Sequence, residues 1–142
     1  RLRCDWSSDV CSSDLAAQIE ADGRQPLELV RTRSLGYCLM NLTALFDLAD
    51  LGGRVDIDLW AHKDAEGRSI RRAFYWLVEH AVDGKWGFDQ ATPFAHGQMI
   101  PLWRRGGVRV EDAKCEERIA AMENIEVAAD RTNLLYPARS RT

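Results

Sequence analysis

Length, composition and charge already exclude several classes of protein. The chain has 142 residues, which is enough for one domain and too few for two comfortable ones. Its 19 Lys+Arg and 22 Asp+Glu leave a net charge of -3, which argues against a general basic field for nucleic acid. No apolar run approaches the roughly 18–20 residues that cross a bilayer, and four cysteines are too few for a disulfide scaffold.

The N-terminal segment, residues 1–15, differs in character from the rest of the chain. It contains Ser-Ser-Asp twice, at 7–9 and 12–14, and lacks the basic, apolar and small-residue order of a signal peptide. It resembles the conceptual translation of a sequencing adapter. We therefore predict that residues 1–15 are non-native and that Cys4 and Cys11 carry no biological information. The alternative is a natural polar tail.

One long helix is the clearest element of the remaining chain. Apolar residues recur at three- and four-residue spacing and predict a helix over 34–50, capped by Ser34 or Thr32 and ended by Gly52-Gly53. The members of this stripe are Leu35, Cys38, Leu39, Leu42, Leu45, Phe46 and Ala49.

Further helices are predicted upstream and downstream. They cover 16–21, 69–82 with Ser69 as cap, 94–103 and 110–122. In the third of these we expect an irregular end or kink at Pro101, and a break at Arg104-Arg105-Gly106-Gly107. Apart from a weak strand at 55–59, the sequence predicts an all-α domain over 16–137, with a frayed tail at 138–142. Its long loops are typical of toroids built from helix pairs.

The main candidate catalytic and substrate-binding residues lie between Arg31 and Tyr37. Tyr37 lies one helical turn after Arg33, and Arg31 lies just before the predicted helix. A cation beside a phenol favours the phenolate, so such a tyrosine exchanges protons more readily. Two arginines nearby can hold carboxylates as bidentate pairs. The cluster therefore suits proton transfer on an acidic substrate, although from the residues alone a helix start with surface arginines and a half-buried tyrosine is the favoured explanation.

A family resemblance favours the chemical interpretation. The string Gln25-Pro-Leu-Glu-Leu-x-Arg-Thr-x-Ser-x-x-Tyr37, followed by Asn-Leu-x-Ala-Leu-Phe-x-Leu-Ala49, resembles the alginate lyase family of polysaccharide lyases. The resemblance implies part of an (α/α) toroid and β-elimination on a uronic-acid polysaccharide such as alginate. It implies that Tyr37 is the catalytic acid/base. Arg31, or second to it Arg33, would neutralise the uronate carboxylate.

The same resemblance implies that half of the site is missing. The family also uses an Asn-His pair upstream of the tyrosine, and residues 16–142 contain none; His62, His80 and His96 all lie downstream of Tyr37. We therefore expect a C-terminal fragment that is inactive alone. The expected partner is an acidic polysaccharide, with no nucleic acid, membrane, cofactor or metal ion. A periplasmic or secreted location is implied.

Other candidate residues carry weaker signals. Trp86, in a loop with glycine on one side and a lysine on the other, is the predicted stacking platform for a sugar ring, whereas Trp76 is expected in the core. Arg104 and Arg105 are expected to be exposed at a helix end. Cys38 and Cys115 are expected to be buried and unpaired. The alternative function is a non-catalytic helical module that binds carbohydrate or another partner.

Overall fold

Helices form all the regular elements that the structure describes. The structure is a computed structural model and divides into two compact units, Arg1–Thr92 and Pro93–Thr142. An isolated β-bridge joins Arg33 to Gln90, and the prediction of an all-α chain is confirmed. The described residues are Leu15, 17–81, 86–110, 114–121 and 127–137. The predicted non-native segment, apart from Leu15, and the predicted frayed tail lie outside these ranges.

A short helix that the sequence did not predict precedes the long one. Helix α1 spans Pro26–Leu29, and its proline stands at the start, where a missing backbone N–H costs nothing. Gln25 before it lies outside the α region, with φ -113° and ψ 79°, as expected of a residue that precedes proline. The amide of Gln25 is fully buried and accepts a hydrogen bond from Asn41 Nδ2 at 2.9 Å. This contact holds α1 against the next helix.

The long helix α2 spans Ser34–Gly53 and carries the predicted stripe on its buried side. Every member of that stripe is buried, and α2 packs against both α1 and the following helix. The helix continues to Gly53, three residues past the predicted end at position 50. The prediction that Gly52-Gly53 ends it is therefore confirmed to within one turn.

The predicted caps of α2 are wrong. The N-cap residue is Arg33, whose side chain makes no capping bond, and Ser34 is already helical. The carbonyl of Asp89 accepts from the backbone N–H of Ser34 at 3.1 Å, and the side-chain oxygen of Gln90 accepts from the N–H of Leu35 at 3.2 Å. A segment 55 residues later in the chain thus caps the helix.

The weak strand predicted at 55–59 is also wrong. After α2 the chain turns tightly, because the backbone N–H groups of Val55 and Ile57 both donate to the carbonyl of Gly52 at 2.9 Å. Asp56 between them has a φ of 61°, in the left-handed region that an extended strand does not visit. The alternating apolar residues therefore belong to a turn.

Helix α3 spans Ile70–His80 and completes the core of the first unit. The predicted cap is confirmed, since Ser69 Oγ accepts from the N–H of Arg72 at 3.1 Å. The predicted apolar face is buried, and so is Trp76. The rings of Phe46 on α2 and Phe74 on α3 lie 5.6 Å apart, which places aromatic packing at the centre of the contact between these helices.

The second unit contains a helix whose bounds differ from the predicted 94–103. A 3₁₀ turn at His96–Met99 leads into α4, which spans Ile100–Val110. Pro101 does not interrupt α4, because it lies in the first turn of the helix, where a proline is tolerated. The predicted break at 104–107 is wrong, and Arg104 is only 4% exposed. Burial of the apolar side chains of Ile100, Leu102 and Trp103 outweighs the roughly 1 kcal/mol by which each glycine disfavours a helix.

Two further helices pack onto α4. Helix α5 spans Lys114–Ala120, within the predicted 110–122, while residues 111–113 and 122 of that prediction lie outside the described part. A 3₁₀ turn at Val127–Ala129 precedes α6, Thr132–Leu135. The hydroxyl of Thr132 donates to the carboxylate of Asp130, and this bond is the main reason that the pKa of Asp130 is lowered. The charged carboxylate therefore stabilises the start of α6.

Candidate functional site

The turn between α1 and α2 carries Arg31. Its Nη1 atom donates to Oε2 of Glu28 at 3.3 Å, which ties it to the helix just before it in the chain. Half of the Arg31 side chain is exposed, at 47%. A guanidinium has five N–H donors, and one of them accounts for the contact with Glu28. Arg31 therefore combines a fixed position with contact to solvent.

Tyr37 lies in the first turn of α2, and the structure brings it against Arg31. The guanidinium carbon of Arg31 is 3.7 Å from the centroid of the Tyr37 ring. Tyr37 is half-buried, and its backbone N–H donates to the carbonyl of Arg33 at 3.1 Å. The cation lies over the face of the ring, where the ring quadrupole attracts it.

Arg33 contributes to the site through its backbone. It is the N-cap residue of α2, its side chain is exposed, and it forms the isolated bridge with Gln90. Its carbonyl fixes the N–H of Tyr37. The contact with the Tyr37 ring belongs to Arg31, so the geometry groups the tyrosine with the arginine that precedes the helix.

Trp86 belongs to the loop after α3 and contacts the start of α2 at Ser34, three residues upstream of Tyr37 along that helix. Its indole N–H donates to Ser34 Oγ at 2.9 Å, and this hydroxyl donates to the carbonyl of Asp89 at 2.6 Å. Its ring packs against Phe88 at 5.4 Å and Trp76 at 5.9 Å. Trp86 is half-buried. The structure thus gives Trp86 a role in holding the loop at the helix start, and its use as a sugar platform stays a prediction.

Sequence reasoning missed the residues that hold this site together. Glu28 positions Arg31, and the Asp89-Gln90 pair positions the first turn of α2, in part through Ser34, which the sequence predicted only as a helix cap. The spacing of Glu28 and Arg31, three residues, is a signal for an ion pair once a helical turn is known there. Asp89 and Gln90 lie 55 residues from their partners, and local pattern gives no signal for them.

The cysteines of the described residues are not candidates for nucleophilic chemistry. Cys38 and Cys115 form no disulfide and are both buried, as predicted. Burial, together with the smaller effect of the negative charge of Glu28, raises the pKa of the Cys38 thiol to about 12. Since the thiolate is the reactive form, Cys38 stays inert at neutral pH.

The described residues contain no candidate metal site and no candidate membrane-spanning helix. No group of three or more His, Cys, Asp and Glu side chains there has the arrangement to hold a metal ion. His80 stacks on Trp76 with ring centroids 4.4 Å apart. Among the same residues, no helix combines the length and the apolar character needed to span a membrane.

Comparison with known proteins points to one family. A family model described as "Alginate lyase" matches residues 3–87. A crystal structure of an alginate lyase from Bacteroides ovatus is similar to this chain, with a TM-score of 0.73 and 30% sequence identity. The similarity covers 86% of this chain and 33% of that one, so the chain spans about a third of that protein's length. No curated protein matches the chain.

The similarity also identifies the architecture. The alginate lyase fold is a helical toroid, and the all-α elements described above correspond to part of it. The predicted fold class, part of an (α/α) toroid, is therefore confirmed.

Proposed function

We propose that this chain, which belongs to the alginate lyase family, supplies the tyrosine and arginine of a site that cleaves a polyuronate by β-elimination. The single observation that carries the proposal is the placement of the Arg31 guanidinium 3.7 Å from the Tyr37 ring. It puts a fixed positive charge next to a half-buried phenol, on a chain whose family acts as lyases. Alginate or a similar polyuronate is the proposed substrate.

The chemistry of β-elimination assigns separate tasks to these two residues. A base removes the proton at C5 of the uronate, the C4–O bond breaks, and a C4–C5 double bond forms in the ring. Negative charge develops on the carboxylate side of C5, so a cation that pairs with the carboxylate stabilises the transition state. The leaving oxygen takes up a proton. Tyr37 is the proposed proton donor, and in the same position it can act as base.

Arg31 is the proposed carboxylate contact. Glu28 and the Tyr37 ring hold it from two sides, and its exposed part carries N–H donors that a carboxylate can meet as a bidentate pair. Arg33 is the proposed second contact with the substrate, because it is exposed at the start of the same helix. Trp86 is the proposed sugar platform, with its half-buried ring available for stacking beside the loop that Ser34 anchors.

We also propose that the chain is part of a larger catalytic domain. It covers a third of the similar structure. Helix α2 supports this independently, because it is apolar on both sides: a stripe opposite the buried one stands exposed, with Leu48 54% accessible. A helix that is apolar all round is normally buried on all sides. The exposed stripe consists of Met40, Ala44, Leu48 and Leu51.

The missing part bears directly on activity. The upstream Asn-His pair that the family resemblance implies does not occur in residues 16–142. We propose that the chain alone therefore binds one side of the substrate without turning it over. A periplasmic or secreted location is proposed on the same resemblance, because polyuronates are found outside the cytoplasm.

A chimeric enzyme tests the proposal. Residues 17–137 replace the matching third of the Bacteroides ovatus alginate lyase, and the product is followed by the ultraviolet absorbance of its conjugated double bond. We expect turnover by the chimera, and none by the Tyr37→Phe version or by the 142-residue chain alone. Circular dichroism and thermal melting establish that each protein is folded.

The outcomes separate the two functions that the sequence left open. A folded chimera that yields no unsaturated product, yet still binds polyuronate, favours the non-catalytic binding module. Turnover that survives Tyr37→Phe rejects the proposed role of the tyrosine. Robust turnover by the 142-residue chain alone rejects the proposal that half of the site is absent.

A further inference from the structure

Glu28 is a carboxylate enclosed beside the proposed site. It lies in α1, and its side chain is only 18% exposed, compared with 47% for Arg31. Its Oε2 atom accepts from Arg31 Nη1 at 3.3 Å. A carboxylate that is mostly withdrawn from water interacts with a neighbouring cation more strongly than an exposed one does. Glu28 is thus the better fixed member of the pair.

The charge of Glu28 also acts on α2. It contributes to the raised pKa of the thiol of Cys38, the residue that follows Tyr37. The carboxylate is therefore close enough to the first turns of α2 to influence a buried group there. Glu28 interacts with both the turn that carries Arg31 and the helix that carries Tyr37.

Two contacts together define the orientation of the Arg31 guanidinium. Glu28 meets one terminal nitrogen at 3.3 Å, and the Tyr37 ring lies 3.7 Å from the central carbon. The guanidinium is planar, so one contact at its edge and one on its face leave it little rotational freedom. The remaining N–H groups then point in a fixed direction.

We infer that Glu28 is a positioning residue, which holds Arg31 over Tyr37 so that the free N–H groups of Arg31 are presented to a uronate carboxylate. The inference rests on the proposed function of Arg31 and Tyr37. An ion pair with a half-exposed arginine contributes little to folding stability. Its effect lies in orientation, because a side chain that is already ordered loses less entropy when the substrate binds.

Two variants of Glu28 distinguish the loss of the contact that positions Arg31 from the loss of negative charge. Glu28→Gln keeps an oxygen that can accept from Arg31, whereas Glu28→Leu keeps the approximate size without an acceptor. Both remove the same charge, so any change in attraction for a polyanion cancels between them. Glu79→Leu, at an exposed position on α3, controls for replacing a glutamate by leucine elsewhere.

The main measurement is the NMR signal of the Arg31 Nε–H group in the 142-residue chain. Protons held over an aromatic face resonate upfield, so the wild type is expected to show this shift and Tyr37→Leu to abolish it. We expect Glu28→Gln and Glu79→Leu to retain most of the shift and Glu28→Leu to lose it. Equal shifts in Glu28→Gln and Glu28→Leu would overturn the inference.

A binding measurement distinguishes this inference from the proposed function. A mannuronate trisaccharide is titrated into each variant, and we expect its Kd for Glu28→Leu to be about three- to tenfold higher than for Glu28→Gln. Equal Kd values would count against presentation of Arg31 to the carboxylate. If the trisaccharide binds none of the proteins while the NMR shifts behave as expected, the proposed substrate class fails and the positioning of Arg31 by Glu28 stands.

Discussion

The Arg31 guanidinium lies over the face of the Tyr37 ring, with 3.7 Å between its central carbon and the ring centroid. The cation is thus held by the negative face of the aromatic system and does not need the phenolic oxygen as a partner. This arrangement orders the half-exposed side chain of Arg31. Five residues lie between the two in the chain, and the turn between α1 and α2 brings them together.

The Arg31–Tyr37 contact predicts a measurable coupling energy. In a double-mutant cycle with Arg31→Ala and Tyr37→Leu, the free energy of unfolding should show a coupling of about 0.5–1 kcal/mol, as expected for a partly exposed cation–π pair. Urea denaturation of the four proteins measures it. Arg71→Ala, at an exposed position on α3, should combine additively with Tyr37→Leu. A coupling of zero for Arg31 and Tyr37 would contradict the contact.

Ser34 is predicted to be the most sensitive polar residue near the site. Ser34→Ala removes the hydroxyl that accepts from the Trp86 indole N–H at 2.9 Å and donates to the carbonyl of Asp89. A half-buried indole N–H without its partner costs about 1–3 kcal/mol of unfolding free energy. The loss is measured by urea denaturation, and by a change in tryptophan fluorescence as the surroundings of Trp86 alter.

Thr43→Ala is the matched control for Ser34→Ala. Thr43 is exposed on the same helix, and its hydroxyl donates only within one turn, to the carbonyl of Leu39 at 2.8 Å. Its removal should change stability by no more than about 0.5 kcal/mol. If the two substitutions have equal effects, the hydroxyl of Ser34 does not anchor the loop.

Local pattern predicted those parts of the fold that local physics decides. The buried stripe of α2 and the Ser69 cap of α3 follow from spacing and from one side chain, and both are confirmed. The start of α2 could not be predicted in this way, because Asp89 and Gln90 supply its partners from 55 residues away. The continuation of α4 through Gly106-Gly107 depends on tertiary packing of its buried apolar side chains, which local sequence does not reveal.

The candidate site, like the fold, has one part that local sequence predicts and another that it does not. Residue types around Arg31 and Tyr37 suit proton transfer on an acidic substrate, but only the family resemblance favoured that interpretation over a helix start with surface arginines. Their mutual geometry depends on the short helix α1, which the sequence did not predict, and on the ion pair with Glu28 inside it. Four residues are too few to show a helical period, so α1 is recognisable only by its proline.

The turn before α3 predicts a pH-dependent contribution to stability. Asp64 accepts from Arg68 Nε at 2.7 Å, and this hydrogen bond is the main reason that the pKa of Asp64 is lowered. A carboxyl with a lowered pKa in the folded state stabilises the fold above its unfolded pKa of about 3.9. That contribution disappears as the pH falls through the folded pKa.

Asp64→Asn should therefore lower the Tm at pH 7, and the difference from wild type should shrink as the pH falls below about 4. Thermal melts across this range measure the difference. Asp58→Asn is the control, because Asp58 accepts from the N–H of Ala61 in an exposed turn and an amide oxygen can do the same. A difference for Asp64→Asn that stays constant down to acid pH would contradict the ion pair with Arg68.

Alanine substitutions at two glycines of the first unit should change the free energy of unfolding in opposite directions. Gly23 has a φ of 99°, and a Cβ there would lie 2.5 Å from the carbonyl oxygen of Arg72 and 2.8 Å from Cβ of Trp76. Gly23→Ala should therefore destabilise the chain by about 2–4 kcal/mol, through strain and overpacking. Gly36, inside α2, has open space around its Cβ position. Gly36→Ala should stabilise by about 0.5–1 kcal/mol, because alanine restricts the unfolded chain and favours the helix. Denaturant unfolding of both variants measures the difference, and a loss of stability in Gly36→Ala would show that the first turn of α2 needs the freedom of glycine beside Tyr37.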